Sequence, residues 1–371
     1  MNKERTIAMV QKALLLTAFV TTLVSSGLNA AEWRITGEVE IDRDEYSGKI
    51  IVSDGAKLYL NEATIYGELH IESGGSTFVW GDGNSKIKAL GAQSGYLQNS
   101  GFLRIVPLTE LDVDGQVDNG GLIQLIGGGL SAIDTFDNNN TGVIRGHGLI
   151  YGGQQFRNGG RVSAFGGSLL IAADGPLIAV GTLENTPSAS LHIRTNLRVA
   201  SPAVEPAIDV NNLGIVRVRA GGGITLDCAL INEAGGTIEL LGGTLGAKSI
   251  TQKQGATLRG FGNITADLLI EPNGLAELTG STDIVGNIEI RENASIEVRD
   301  GTILTTGQTT CNGTIHMKGG RVIPQGGLSG NCNIIWEPGT YNNIADFNLD
   351  GEVNFKDFVD FADTWLWQTS W

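Results

Sequence analysis

The stretch EPNGLAELTGSTDIVGNIEIRENASIEVRDGTILTTGQTTCNGTIHMKGG, residues 271–320, decides the fold. Three phrases in it share one form: NGLAEL, NASIEV and NGTIHM. Each opens with Asn and a small residue, then alternates apolar and polar positions. Alternation with period two marks a strand with one face in a core. The small anchor residues Gly274, Ala294 and Gly313 stand 20 and 19 residues apart. A unit that short leaves no room for a helix once its turns are removed. Recurrence at a fixed short period means stacked supersecondary units, and here each unit fits one coil of a parallel β-solenoid.

Working outward, the same form recurs at Gly55, Gly75, Gly101, Gly121, Gly142, Gly160, Gly214, Gly236 and Gly255. The gaps run from 18 to 26 residues, except for one of 54 after Gly160, which has room for two poor copies near Gly175 and Ala189. The second and fourth residues after each anchor are expected inside, as Ile296 and Val298 or Ile315 and Met317. The third points out: Gln124, Arg217, Glu239, Glu277, Glu297 and His316. The phrase GATLRG breaks this rule and puts Leu258 outward, so the alignment slips there. With about 4.8 Å per coil, 14 or 15 coils give a rod roughly 70 Å long. The fold class is therefore all-β, a parallel β-helix of about 20-residue coils.

Two further regularities bear on stacking. Asn273, Asn293, Asn312 and Asn333 recur just before strand-like runs. Either they stack as an amide ladder along the axis, or they reflect the preference of Asn for turns. Cys311 and Cys332 lie 21 residues apart at one phase of the coil, close enough for a disulfide; two buried thiols are the alternative.

Composition limits the rest. Of 371 residues 54 are Gly and only 8 Pro, with no G-X-Y period, so collagen is excluded; 41% hydrophobic content argues against disorder. A formal charge of −15 with no basic stripe speaks against a nucleic-acid partner. Residues 1–30 read as a secretory signal: Lys3, Arg5 and Lys12 precede the apolar run ALLLTAFVTTLV, and Ala30 is a small residue suited to cleavage. Cleavage there takes the formal charge to −17. No later apolar run reaches 18 residues, so no membrane-spanning helix is expected in the mature chain. The polar, strand-like residues 31–50 are expected to cap the front of a solenoid spanning 51–338, and WEPG at 336–339 breaks the repeat at the back.

The chain ends differently. In DFNLDGEVNFKD, Asp346, Asn348, Asp350 and Asn354 fill positions 1, 3, 5 and 9 of a twelve-residue loop. Glu352 offers its carbonyl at 7, Asp357 stands at 12, and Gly351 sits at the sharp turn. Six or more hard oxygens from such a loop suit Ca²⁺. Phe358, Phe361, Ala362 and Trp365 follow at i, i+3, i+4 and i+7, the pattern of an amphipathic helix. The segment ADFNLDGEVNFKDFVDFADTWL resembles one repeat of a type I dockerin, a half EF-hand unit, within residues 345–371. The resemblance implies calcium at Asp346, Asn348, Asp350, Glu352, Asn354 and Asp357. Dockerins bind cohesins through two such repeats; only one is present here, so cohesin docking is not expected. Upstream, the Gly-rich coils resemble bacterial passenger-like and pectin-lyase-like β-helices.

Candidate chemistry is sparse. Glu277, Glu297 and His316 should stack on successive coils; two close carboxylates can raise one pKa to make an acid/base pair, and the alternative is a solvated face of mixed charge, with Arg299 and Lys318 two residues on. His70, His147 and His192 are not at metal-site spacing, and nucleophile-elbow, zincin and phosphate-loop motifs are absent. Trp367 and Trp371 could touch a sugar or a partner, or pack on their own domain. Three functions stay open: a non-enzymatic secreted or cell-surface scaffold, a polysaccharide lyase or hydrolase, and a module that binds polysaccharide or a surface protein.

Overall fold

A computed structural model describes residues 31–337, apart from 176, 180, 186–188, 196–208 and 300–301. Residues 1–30, read above as a signal, and residues 346–357, expected above to bind calcium, lie outside the described residues. The chain forms a parallel β-solenoid whose coils each contribute strands to three faces. All strand pairings between coils are parallel. Among the described residues no helix is long and apolar enough to cross a membrane.

One strand shows how a coil is made. Thr257–Ile270 runs round all three faces. Its residues 257–261 pair with 237–241, 263–265 with 244–246, and 267–270 with 249–252. The register shifts between these blocks are the corners. Gly260 and Gly262 turn one of them at φ 104° and 145°, where a side chain would be strained.

The core is a set of vertical columns. Leu258, Ala276, Ile296 and Ile315 occupy equivalent positions on successive coils and are all buried. Val298 and Met317 stack beside them. Leu258 therefore points inward, contrary to the expectation from GATLRG. The anchor of that coil is Ala256, because Thr257 pairs with Thr237. Gly255 is the corner residue ahead of it, at φ 72°. The same shift moves the first anchor from Gly55 to Ala56, since Lys57 pairs with Ser76. The long gap holds one copy and not two: Thr182 pairs with Arg161 below and Ile215 above, which makes Gly181 the anchor. Residues 31–50 form strands in the same register, with Ile35 over Val52 and Ile41 over Leu60.

An amide ladder exists, but from other asparagines than those expected. Asn273 and Asn293 are exposed and take φ 61° and 63°. They belong to a corner column with Gly235 and Gly255, linked by backbone bonds from Gly235 N to Gly255 O (3.1 Å) and Asn273 N to Asn293 O (3.1 Å). Asn tolerates this left-handed conformation where most residues do not. Asn312 and Asn333 are out of step with each other, because Asn333 pairs with Thr314. Replacing Asn293 by Ala should cost about 1 kcal/mol of stability, and replacing it by Gly almost nothing; thermal unfolding of the two variants checks this.

The real ladder is buried at the end of the third face. The side-chain amide of Asn99 donates to Asn119, Asn119 to Asn138, and Asn138 to Asn158, at 2.7, 2.7 and 2.6 Å. After a break at Ala179, Asn212 donates to Asn232 (2.7 Å) and Asn232 to Gln252 (2.9 Å). The second amide hydrogen finds a carbonyl of the next strand, as Asn212 to Thr237 O at 3.2 Å. Above Gln252 the column continues as Ile270, Ile290 and Cys311. The anchor glycines belong to this arrangement: a Cβ on Gly236 would stand 2.4 Å from Asn212 O and 2.5 Å from Asn232 Oδ1.

Candidate functional site

Glu277, Glu297 and His316 do stack, on strands Leu275–Ile284, Ser295–Arg299 and Thr314–Lys318. Their electrostatics are the reverse of an acid/base pair. Arg299 donates to Glu277 at 3.0 Å and to Glu297 at 3.2 Å. Lys318 bridges Glu297 at 3.1 Å and Glu337 at 3.3 Å. Burial works against ionisation of Glu297, but the Lys318 ammonium and the Arg299 guanidinium outweigh it and hold the carboxyl below its usual range. The two cations share the outward phase of their strands with the carboxylates, two positions further on, so they fall between the acids.

The same logic runs down the first face. Glu184 has no exposed side-chain surface and meets three guanidinium groups. Arg161 Nε donates to Oε1 at 2.8 Å, and Arg219 reaches Oε2 at 3.4 Å with Arg217 at 3.7 Å. Burial opposes its charge, yet Arg161, with Ser163 and Arg219, holds the carboxyl below its usual range. Arg217 turns its Nε to Glu239 (2.5 Å), which also accepts from Arg259 (3.0 Å). Bonding from Arg217 is the chief reason that the Glu239 carboxyl is also lowered. Opposite charges alternate coil by coil, the sheet counterpart of a helical ion-pair row.

A different cluster lies on the third face, and sequence reasoning missed it. His70, Gln98, Asp118, Asp137 and Arg157 form one outward column. His70 Nε2 lies 2.7 Å from Glu68 Oε2, placed to donate to it, and the His70 ring lies edge-on to Tyr96 at 5.5 Å. Tyr96 Oη donates to Asp118 at 2.6 Å, and Gln116 Nε2 at 2.7 Å. Asp137, one coil on, is pushed above the usual carboxylate range, first by burial and further by Asp118, with Arg157 opposing. The signal was present in letters. Four of the five immediately precede a ladder asparagine, in QN (98–99), DN (118–119), DN (137–138) and RN (157–158), while His70 precedes Ile71 in the same column. When the Asn points in, its neighbour must point out.

Aromatic residues also stack outside the first face. Tyr59 and Phe78 lie 5.1 Å apart with rings 16° from parallel, and Phe102 meets Phe78 edge-on at 5.8 Å. Cys311 and Cys332 are joined, Sγ to Sγ at 2.10 Å, and Cys228 is buried outside that bond. Among the described residues no group of three His, Cys, Asp or Glu side chains is placed to hold a metal ion. The loop of Asp346, Asn348, Asp350, Glu352, Asn354 and Asp357 lies outside them. No known protein-family profile and no curated protein matches the chain.

Proposed function

We propose that this chain is a secreted or cell-surface rod that displays or scaffolds and does not catalyse, with a calcium-binding, dockerin-like repeat at its C-terminus. The observation that carries this reading is the pairing of outward charge along the axis. The first-face carboxylates Glu184, Glu239, Glu277 and Glu297 each pair with cations of neighbouring coils. Charge used in this way holds coils in register and leaves little reactivity. The signal-like residues 1–30 support export, and the loop spacing at 346–357 supports calcium. A polysaccharide or another surface protein is the natural class of partner for such a rod.

A second reading, a polysaccharide-degrading β-helix enzyme, has one observation in its favour. Asp118 and Asp137 are adjacent carboxylates whose surroundings differ, with Arg157 beside them. Such a pair can divide acid and base roles. A reducing-sugar release screen on the mature protein separates the readings. The scaffold predicts no release from any glycan. It also predicts that Glu277→Gln with Glu297→Gln changes stability by less than about 1 kcal/mol, as for other partly exposed ion pairs. Release that is abolished by Asp137→Asn would establish the enzyme instead.

A further inference from the structure

Among the described residues, no coil lies beyond the C-terminal end of the solenoid. Strand Asn333–Trp336 is the last that is described, and among the described residues it pairs with Thr314–Lys318 below it. Ile334 continues the core column of Ile296 and Ile315, and Trp336 continues that of Val298 and Met317. Lower members of these columns are at most 5% exposed, whereas Ile334 is 41% and Trp336 47% exposed. On the third face Leu328 sits over the buried Thr309 and is 45% exposed. On the second, Val322 sits over Leu304 and is only partly buried. Ile334, Leu328 and Val322 are core positions with no coil above them among the described residues. An end like this presents apolar surface and a strand edge, the combination that invites end-to-end pairing.

We propose that the apolar stripe Phe358, Phe361, Ala362 and Trp365 of this chain's own tail covers that end, seated on Leu328 and Ile334. Three observations select the tail over a second copy. It leaves the solenoid at Glu337, directly beside the end face. The twenty residues between Glu337 and Phe358 can span up to about 70 Å, so reach imposes no barrier, and a tethered segment acts at an effective concentration near millimolar. The tail is acidic, with Asp346, Asp350, Glu352, Asp357, Asp360 and Asp363 against Lys356 alone, while exposed Arg321 stands at the rim of the end face. Two copies meeting end to end would instead set identical rims against each other. The stripe itself is a sequence pattern of helical spacing, four residues wide on one face.

The test uses the full mature chain. Hydrogen exchange is followed on peptides covering residues 314–337, with residues 143–164 as an internal reference, in wild type and in Phe361→Asp with Trp365→Asp. Covering predicts that exchange at 333–337 speeds up at least tenfold in the variant while the reference is unchanged. Ile334→Asp should in turn make the tail at least tenfold more sensitive to protease, and Phe361→Leu with Trp365→Phe should retain protection. Equal exchange in wild type and the Asp variant overturns the proposal. So does a wild-type dimer in sedimentation whose end-face protection survives the tail substitutions, since a second copy is then the occupant. Repeating the exchange with calcium and with chelator reads on the metal proposal separately: protection that is lost in chelator couples the ion to the docked tail, and protection indifferent to chelator removes that coupling but leaves the docking intact.

Discussion

Replacing Asn138 by Ala is expected to lower stability by roughly 2–5 kcal/mol, the largest effect of any single polar substitution in the rod. Asn138 accepts from Asn119 and donates to Asn158, and all three side chains are fully buried. Removing it strands one amide donor below and one amide oxygen above, in a place where water does not reach. Each orphaned group costs about 1–3 kcal/mol, whereas a satisfied bond adds only about 1. A companion variant sharpens the argument. Gln252 ends its ladder segment and is followed in the same column by Ile270. Gln252→Ile orphans one hydrogen of the Asn232 amide, whose other bond to Thr257 O at 3.1 Å remains, and strands no side-chain amide oxygen above it. Its cost should be less than half that of Asn138→Ala. Denaturant unfolding of the two variants checks the ranking; equal losses would mean that packing volume and not amide satisfaction governs the column.

Glu184 gives the second large effect, and it depends on pH. Its carboxyl is lowered in the folded protein from an ordinary value of 4.5. A carboxyl depressed by folding adds stability that is complete above the unfolded value and is lost as pH falls through the folded one. The contribution is therefore whole at neutral pH and drains away below about pH 4.5. Glu184→Gln should cost about 1.5–3 kcal/mol at pH 7, the range for bonds to a charged group, because three guanidinium groups lose a buried counter-charge. The loss should shrink steadily towards pH 3, where the wild-type carboxyl is itself being protonated. Glu239 and Glu297 are lowered in the same sense and steepen the acid limb. Asp137 is raised and works against them, since burial disfavours its charged form. A stability profile of wild type and Glu184→Gln from pH 3 to 8 measures the difference; parallel curves would show that the arginines do not depend on this carboxylate.

The coil was legible in the sequence because its cause is local. Alternation over five residues sets which side chains are inside, as in Ile296 and Val298, and the 20-residue period sets that coils stack. Slips occurred where that local cue was ambiguous. Gly255 and Ala256 are both small, and only inter-coil pairing tells which is the corner and which the anchor. The ladder shows the same limit. Asn99, Asn119, Asn158 and Asn212 each stand two residues before an anchor glycine, a regularity visible in letters. Its meaning depended on whether that position faces the core, and the more evenly spaced Asn273 and Asn293 drew the reading to a corner. At Glu277 and Glu297 the stacking was legible, and so was the choice between an acid/base pair and a mixed-charge face, which the structure decides for the second. Arg299 and Lys318 had to be placed in three dimensions before the acids could be recognised as neutralised. The Asp118 and Asp137 column was overlooked because its members are separated in sequence, and the asparagine that follows four of them, Gln98, Asp118, Asp137 and Arg157, marks them as outward only once that asparagine is known to face the core.

The break in the ladder at Ala179 has a mechanical meaning. Peptide hydrogen bonds between coils and amide bonds within the ladder all run along the rod, so a pull on its two ends loads both kinds together. At Ala179 the amide contribution is missing, and Asn158 reaches a backbone oxygen of Thr182 in place of a side chain. A tether under tension thus has two reinforced blocks, one through Asn99 to Asn158 and one through Asn212 to Gln252, with a weaker joint between them.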